Sequence, residues 1–235
     1  MSERRDELAR NLDRVRARIA DACDRVGRSP DEVTLTVVTK FFPASDLRLL
    51  TGLGVRHVGE NRHQEAEAKH AECADLGLTW HFVGGLQSNK AAAVARYADV
   101  VESVDRAKLL QGLAQGARES DRPVDVLVQV DLDPDPAAGS GRAGCAPGDV
   151  ERLAEQVAAT DGLRLRGVMA VAPLGTDPVP AFAKLVEIAA LVRLVDPAAT
   201  WVSAGMSGDL EQAVETGATH VRIGSAVLGS RPRRR

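Results

Sequence analysis

The stretch SAGMSGDLEQAVETGATHVRIGSAVLG, residues 203–229, decides the fold. In it a short apolar strand ends at Gly205, a Ser-Gly step opens a helical pattern, and a second strand, HVRI, runs into Gly224 and Ser225. In eight-stranded α/β barrels, the loops after the seventh and eighth strands commonly bind phosphate through backbone N–H groups and a helix N-terminus. The segment therefore predicts the last two strands of such a barrel, each followed by an anion-binding loop.

The same alternation of short apolar runs and helical patterns extends upstream of this segment. Strands are predicted near residues 34–40, 56–59, 79–83, 99–103, 124–131, 164–171, 200–204 and 219–223. Helices are predicted near residues 43–53, 61–74, 88–97, 105–119, 148–160, 178–194 and 207–216. An additional amphipathic helix, with apolar residues from Leu8 to Val26, precedes the first strand and ends at Gly27.

Eight strands within 235 residues favour a closed barrel. A doubly wound open sheet shows the same local alternation, so the strand count and the chain length decide between the two folds. We expect an α/β protein with a single (β/α)8 TIM-type barrel over residues 1–231, an extra N-terminal helix, and a basic tail at residues 232–235.

The charge balance excludes a general nucleic-acid-binding surface, because 30 basic and 33 acidic residues give a net charge of −3. The terminal RPRRR, residues 231–235, is either an interaction tail or a solvated chain end. Three widely spaced cysteines indicate a reducing compartment. Because the start does not resemble a signal peptide and no run of 18 apolar residues occurs, we expect a soluble cytoplasmic protein that contacts neither nucleic acid nor membrane.

Lys40 ends the apolar run TLTVVTK, and strand alternation predicts where it points. Thr36, Val38 and Lys40 share the smaller, more polar face of the strand, which suits the lumen of a barrel. A lone cation at the carboxyl end of a buried strand is costly unless it has a chemical role. The alternative is a strand-end lysine whose ammonium extends to solvent.

The last strand presents His220, Arg222 and Gly224 to the lumen by the same alternation. A buried guanidinium stays charged and has five donors to satisfy, so Arg222 requires a partner. That partner is either a ligand or an inward carboxylate in a structural ion pair. At the level of Arg222 we identify no carboxylate within the predicted strands apart from Glu60 and Asp131 at strand ends, which favours a ligand.

Ser207 and Gly208 fit a helix N-cap followed by a residue that lets an anion approach the backbone. Asp209 and Glu211 lie in the predicted first turn, where they would repel a phosphate unless their side chains point away. Residues 224–225 form a second small turn that is rich in backbone amides. The two loops can therefore converge on one phosphate.

Polar segments also follow the second and third predicted strands, at residues 59–61 (GEN) and 84–90 (GGLQSNK), and His81 lies inside the third strand. A lone histidine such as His81 is either a satisfied core residue or part of a site. We interpret residues 131–149 as a loop at the rim of the barrel mouth. Its GSGRAG, residues 139–144, matches a dinucleotide fingerprint but does not join a strand to a helix, so no dinucleotide site is predicted.

Five segments, taken together and in this order, resemble the pyridoxal phosphate homeostasis protein family. They are VVTKFFPAS (37–45), VRHVGENRHQE (55–65), WHFVGGLQSNK (80–90), LRLRGVMAVAP (163–173) and SAGMSGDLEQAVETGATHVRIGSAVLGSR (203–231). The resemblance implies a single barrel, similar to the N-terminal domain of alanine racemase, that holds pyridoxal 5'-phosphate (PLP) on a lysine.

Carried over by position, the resemblance assigns one role to each matching residue. Lys40 corresponds to the PLP-bearing lysine and Arg222 to the neighbour of the pyridine nitrogen. The remaining residues correspond to the lining beside the ring, Asn61 and His81, and to the phosphate cup, Ser203, Ser207, Gly224 and Ser225.

We expect a non-catalytic, monomeric protein that holds PLP as a Schiff base on Lys40, acts in intracellular PLP homeostasis and delivers the cofactor to apo PLP-dependent enzymes. A Schiff base requires a neutral amine, which desolvation and the cationic Arg222 would both favour. Because Arg222 can only donate, the pyridine nitrogen would stay unprotonated, and the ring would be a weak electron sink.

The alternatives are a PLP-dependent amino-acid racemase and a PLP-free Schiff-base aldolase. The resemblance implies that racemase relatives supply a second base, a tyrosine, together with a second β domain and a dimer. Here the chain ends shortly after the eighth strand and Tyr97 is its only tyrosine, so we expect the second base to be missing. An aldolase would use Lys40 on a sugar phosphate, with His81 and Glu60 as acid–base groups.

Overall fold

The apolar runs form the eight strands of a closed parallel barrel in the computed structural model, which describes residues 3–133 and 143–230. Each strand pairs with its neighbour in sequence, and β8 closes the barrel by pairing with β1. The strands are β1 (Thr34–Val38), β2 (His57–Glu60), β3 (Thr79–Phe82), β4 (Val100–Val104), β5 (Val124–Gln129), β6 (Leu163–Met169), β7 (Trp201–Ser203) and β8 (His220–Ile223). The predicted (β/α)8 fold is confirmed.

Helices surround the barrel, and the extra N-terminal helix is confirmed. They are α1 (Glu3–Arg25), α2 (Ala44–Gly52), α3 (His63–Glu72), α4 (Ala91–Ala95), α5 (Leu110–Glu119), α6 (Val150–Ala158), α7 (Val179–Val195), α8 (Leu210–Thr216) and α9 (Ser225–Leu228). The long α1 packs against α2, α8 and α9. It therefore fills the part of the helix ring that the single turn of α9 leaves uncovered after β8.

Strand alternation divides the core into an outer layer and a lumen. The layer between strands and helices is apolar and includes Val37, Val221 and Ile223, as the alternation predicts. The lumen contains a small apolar cluster and a set of buried polar residues, and an unpaired polar group there would be costly. The apolar cluster consists of Val100, Leu127 and Met169, and the polar set of His81, Glu102, Ser203, His220 and Arg222.

The first strand is shorter than predicted, because β1 ends at Val38 and not at residue 40. Lys40 lies in the turn after the strand, and Phe41 has a φ of 72°. A left-handed backbone at a residue with a side chain costs about 1 kcal/mol and is incompatible with an extended strand. The chain therefore leaves the sheet before Lys40, at the mouth of the barrel.

The helix predicted from residue 207 begins at Leu210, because residues 207–209 form a turn. The prediction that Ser207 is the N-cap is wrong, since Asp209 occupies that position. The Asp209 carboxylate accepts a hydrogen bond from the Met206 N–H at 2.6 Å and so stabilises the turn. Ser207 is thereby left on the loop itself.

The predicted rim loop lies partly outside the described residues, which omit residues 134–142. Where the loop is described, Cys145 forms a parallel bridge with Val130, so the returning segment lies beside the end of β5. Most of GSGRAG and the whole RPRRR tail fall outside the described residues, as does the proposed domain boundary at residue 231. In the described ranges, each helix is too short or too polar to cross a bilayer.

Candidate ligand site at the barrel mouth

The carboxyl ends of the strands surround a cavity of about 430 Å³, a volume typical of small-molecule sites. Most of the residues predicted for the site line it, namely Lys40, Asn61, Ser207, Arg222, Gly224 and Ser225. The structure does not place His81 and Ser203 in the lining, because both are buried in the lumen. Gly208, which the sequence placed beside the anion, lines it as well, whereas sequence reasoning missed Phe41 and Met169.

Two loops meet on one side of the cavity, as their sequences predict. Ser207 Oγ accepts from the Ala226 N–H at 3.3 Å and lies within 3.3 Å of the Ser225 hydroxyl, which donates to it. A Cβ built on Gly208 would meet nothing within 4 Å, so the backbone there is open. Small residues, hydroxyls and accessible amides at one place suit an anion.

The two carboxylates beside this loop are engaged elsewhere. Glu211 pairs with Arg18 of α1 through bonds of 2.6 and 2.7 Å, and these bonds hold the pKa of Glu211 below its ordinary value. The Arg18 guanidinium also donates to the Ser207 carbonyl at 3.1 Å. Asp209 is occupied by the Met206 N–H. The N-terminal helix therefore both neutralises a carboxylate and supports the loop that faces the cavity.

Lys40 sits in a turn that an ionic cluster holds in place. The N–H of Phe41 donates to Glu65 Oε1 at 2.6 Å, and Lys40 Nζ lies 6.0 Å from the centre of the Phe41 ring. A strained backbone of this kind persists only where its surroundings determine it. Glu65 on α3 supplies one such restraint, because its carboxylate satisfies the strained amide.

Lys69 is the centre of this cluster and is only 7% exposed. Its ammonium donates to Glu65 Oε1 at 2.8 Å, to Glu60 Oε1 at 2.7 Å and to the Thr39 carbonyl at 2.9 Å. Burial raises the pKa of Glu60, and Lys69 opposes that rise. Burial acts the same way on Glu65, but its hydrogen bonds outweigh burial and lower its pKa. The cluster thus restrains the backbone on both sides of Lys40.

Arg222 is 5% exposed and its side chain reaches the cavity from the lumen. Its Nη1 donates to Ser203 Oγ at 2.7 Å, and its Nη2 donates to the Ala170 carbonyl at 2.8 Å. Glu102 Oε2 lies 3.8 Å from Nη1 and accepts from the Ser203 hydroxyl at 2.6 Å. The expectation that no inward carboxylate lies at this level is therefore wrong, because Glu102 in β4 faces Arg222.

The sequence did carry a signal for Glu102. It is a carboxylate inside the apolar run VVESV, and such a residue is costly in a buried strand unless the lumen offers partners. The same contacts account for Ser203, whose hydroxyl bridges Glu102 and Arg222 beneath the cavity. The structure therefore does not place the Ser203 hydroxyl in the predicted phosphate cup.

His81 belongs to the same buried network. Its Nδ1 is 2.7 Å from Glu102 Oε1, and its Nε2 is 3.0 Å from His57 Nδ1. Burial acts to raise the pKa of Glu102, but its partners prevail and lower that pKa to about 2. Burial lowers the pKa of His57 to about 4 and that of His220 to about 3, so both are neutral near pH 7.

Asn61 follows β2 and lines the cavity. Its side-chain oxygen is buried and has no hydrogen-bond partner among residues 3–133 and 143–230. A Cβ built on Gly84 would come within 2.3 Å of the Asn61 carbonyl oxygen. Only glycine therefore allows the loop after β3 to pack this closely against Asn61. A buried acceptor without a partner is costly, so a ligand that donated a hydrogen bond to it would remove that cost.

Comparisons with known proteins identify relatives over nearly the whole chain. The model of the alanine racemase N-terminal domain matches residues 5–232. The chain is 43% identical to the pyridoxal phosphate homeostasis protein of Mycobacterium bovis, over 97% of this chain and 95% of that protein. The chain belongs to the pyridoxal phosphate homeostasis protein family. A further relative with that name, from Escherichia coli, is 36% identical over 96% of this chain and 97% of its own length.

Solved structures show a likeness over nearly the whole chain as well. The structure of PipY from Synechococcus elongatus PCC7942 with PLP bound has a TM-score of 0.81 at 36% identity, and the match covers 94% of this chain and all (100%) of that chain. Alanine racemase from Corynebacterium glutamicum has a TM-score of 0.69 at 16% identity, over 97% of this chain and 61% of that chain. The likeness to the racemase concerns the fold alone.

Proposed function

We propose that this chain binds PLP in the barrel-mouth cavity, holds it as a Schiff base on Lys40, and serves PLP homeostasis in the cytoplasm by delivering the cofactor, as a monomer, to apo PLP-dependent enzymes. The observation that carries the proposal is the position of Lys40, which shares the cavity with two anion-suited loops and with Arg222. The remaining lysines, Lys69, Lys90, Lys108 and Lys184, lie outside that lining. The names of the relatives and the PLP-bound PipY support the same ligand.

The groups around the cavity fit the parts of this cofactor. When bound, PLP supplies an aldehyde that combines reversibly with a primary amine. The Ser207 and Ser225 hydroxyls, with the amides around Gly224, offer donors to a phosphate. Arg222 offers an N–H to an acceptor such as a pyridine nitrogen, and Asn61 offers its amide to the ring substituents.

Arg222 favours a carrier over an enzyme that must stabilise a carbanion. A guanidinium is always charged and only donates, so a ring nitrogen beside Arg222 accepts a hydrogen bond and stays unprotonated. An unprotonated pyridine withdraws electrons weakly. The site would therefore bind PLP reversibly, but the pyridine ring of the bound PLP would withdraw electrons only weakly.

A racemase is the second candidate, because the barrel resembles that of alanine racemase. The only tyrosine, Tyr97, is 5% exposed and packs against the rings of His63 and His70, outside the cavity lining. Burial raises its pKa and so opposes a role as a base at neutral pH. Tyr97 therefore does not provide a second base at this cavity.

An aldolase would need acid–base groups near Lys40, and both candidates have other partners. His81 is bonded to Glu102 and His57, and Glu60 to Lys69 and to the Thr39 hydroxyl. Neither side chain lines the cavity. These contacts favour PLP binding over aldol chemistry.

Absorption spectroscopy and borohydride labelling test the proposal. We expect the purified protein to become yellow on titration with PLP, and reduction followed by peptide mapping to place the label on Lys40. Lys40→Ala should keep the circular dichroism spectrum and Tm of the wild type but lose the label. Lys90→Ala is the matched control, since Lys90 lines a neighbouring cavity and should leave labelling unchanged.

Two results would overturn this function. A full Schiff-base spectrum in Lys40→Ala would refute the assignment of the lysine. Racemisation of an amino acid at the rate of an ordinary enzyme would refute the carrier, whereas restored activity of an apo-enzyme mixed with the loaded protein would support it.

A further inference from the structure

A continuous series of hydrogen-bonded polar groups, all buried except the half-buried His57, crosses the lumen beneath the cavity. At one end, His57 Nδ1 lies 3.0 Å from His81 Nε2, and His81 Nδ1 lies 2.7 Å from Glu102 Oε1. The other oxygen of Glu102 accepts from Ser203 Oγ at 2.6 Å, and Ser203 Oγ accepts from Arg222 Nη1 at 2.7 Å. These hydrogen-bonded groups therefore join His57, the first residue of β2, to the Arg222 guanidinium that lines the cavity.

The direction of each hydrogen bond around Ser203 is determined by its neighbours. Arg222 has no acceptor atom, so it must donate to Ser203 Oγ. A carboxylate only accepts, so the single hydroxyl hydrogen of Ser203 points to Glu102. A neutral amide at position 102 could either donate to or accept from the Ser203 hydroxyl, so the charge on Glu102 is what determines this direction.

The Arg222 guanidinium is held at both terminal nitrogens by groups in the lumen. Ser203 holds Nη1, and the Ala170 carbonyl accepts from Nη2 at 2.8 Å. Because the guanidinium is planar, two such contacts determine the plane in which its remaining N–H groups point. Glu102, 1% exposed and 3.8 Å from Nη1, supplies the counter-charge and anchors the Ser203 bridge.

We propose that Glu102 is a positioning residue that acts through Ser203 to orient Arg222 toward the ring of the bound ligand. The inference rests on the proposed function, since it concerns how the same cavity orients a PLP ring. Glu102 itself does not line the cavity, so its effect on binding passes through Arg222. The competing explanation is that Glu102 only stabilises the barrel.

A double-mutant cycle separates the two explanations. The Kd for PLP would be measured by absorbance titration for the wild type, Glu102→Gln, Arg222→Gln and the double variant, with the Tm of each apo-protein. Each single change is expected to raise the Kd about tenfold, the effect of losing a hydrogen bond to a charged group. If Glu102 acts through Arg222, the double variant should bind no more weakly than Arg222→Gln alone.

Ser203→Ala and Ser103→Ala provide a second measurement that leaves both charges in place. Both serines are buried, and the Ser103 hydroxyl has no hydrogen-bond partner among the described residues. Ser203→Ala should raise the Kd about tenfold, and Ser103→Ala should not change it. These two serine variants distinguish the two explanations even if a variant that removes the charge of Glu102 or Arg222 does not fold.

Three results would overturn the inference. One is a lower Tm for Glu102→Gln with an unchanged Kd, and another is a double variant whose losses multiply. The third is an equal Kd for Ser203→Ala and Ser103→Ala. A wild-type protein that fails to bind PLP would overturn the proposed function and this inference with it. Variants that bind PLP with the Kd of the wild type would overturn the inference alone.

Discussion

The position of Lys40 depends on side chains that lie outside the cavity lining. The turn that carries it has a left-handed residue, Phe41, whose amide is bonded to Glu65, and Lys69 bonds the Thr39 carbonyl on the other side. Glu65 and Lys69 are four residues apart on α3, a spacing that places them side by side. The sequence shows that spacing, but it does not show that the pair faces the Lys40 turn.

We predict that Glu65→Ala weakens both folding and ligand binding. The change removes the acceptor for the Phe41 amide and one of the two carboxylates around Lys69, so the free energy of unfolding should fall by about 2 kcal/mol. The Kd for PLP should rise several-fold as Lys40 loses its fixed position. Urea unfolding and absorbance titration measure the two effects.

Glu67→Ala is the matched control, because Glu67 lies on the same helix with a largely exposed side chain. It should change neither quantity. Equal behaviour of Glu65→Ala and Glu67→Ala would show that the cluster does not hold the turn.

At the scale of elements, α1 acts as part of the site as well as part of the helix ring. Arg18 reaches the Ser207 carbonyl, and Asn11 donates to the Val227 carbonyl of α9 at 2.9 Å. Both contacts bridge the N-terminal helix to the segments that follow β7 and β8. The amphipathic pattern of α1 predicts its buried face, whereas these polar contacts come from the positions between the apolar residues.

We predict that Arg18→Ala makes the loop after β7, which contains Ser207, less rigid. The Ser207 carbonyl loses a charged donor and Glu211 loses its partner, so a carboxylate beside the loop is no longer neutralised. The Kd for PLP should rise about fivefold, the effect of roughly 1 kcal/mol. Titration with inorganic phosphate as a competitor would show whether the loss is at the anion loop.

Arg25→Ala provides the comparison, because Arg25 makes a similar α1–α8 ion pair with Glu215 at 2.6 Å without touching the loop. It should bind PLP like the wild type. A loss of affinity in both variants would mean that helix packing, and not the Ser207 contact, is responsible.

At the scale of the whole molecule, the lumen is a polar interior inside an apolar shell. Its histidines have folded-state pKa values of about 4 for His57 and about 3 for His220, below the ordinary value of 6.5. The unfolded chain therefore takes up protons first as the pH falls, so these residues contribute stability that is present above pH 6.5 and lost below it. Glu102, with a pKa of about 2 against 4.5, adds a further loss below pH 4.5.

We predict that the apo-protein loses several kcal/mol of unfolding free energy between pH 6.5 and pH 3. Urea unfolding at a series of pH values measures the slope. His57→Asn removes one titrating group and should flatten the curve between pH 6.5 and pH 4. A stability that stays constant over that interval in the wild type would contradict the assignment of these histidines as neutral in the folded protein.

Local patterns by themselves determined the eight strands, the N-terminal helix, the inward face of Arg222, and the two small-residue loops after β7 and β8. Lys40 reaches the cavity from a turn, which strand alternation does not describe. Side-chain alternation in a strand and apolar spacing in a helix are properties of a few consecutive residues, so they are readable without the fold. The early end of β1 at Val38 and the late start of α8 were not readable, because each depends on a contact that competes with the local preference.

The tertiary structure alone decided which inward residues meet. Glu102 and Arg222 stand on strands that are far apart in the chain, and their level in the lumen depends on how neighbouring strands are staggered when the barrel closes. The same is true of Ser203, which the family resemblance assigned to the phosphate cup and which barrel closure places between Glu102 and Arg222. Stagger is a property of the closed sheet, and no single strand contains it.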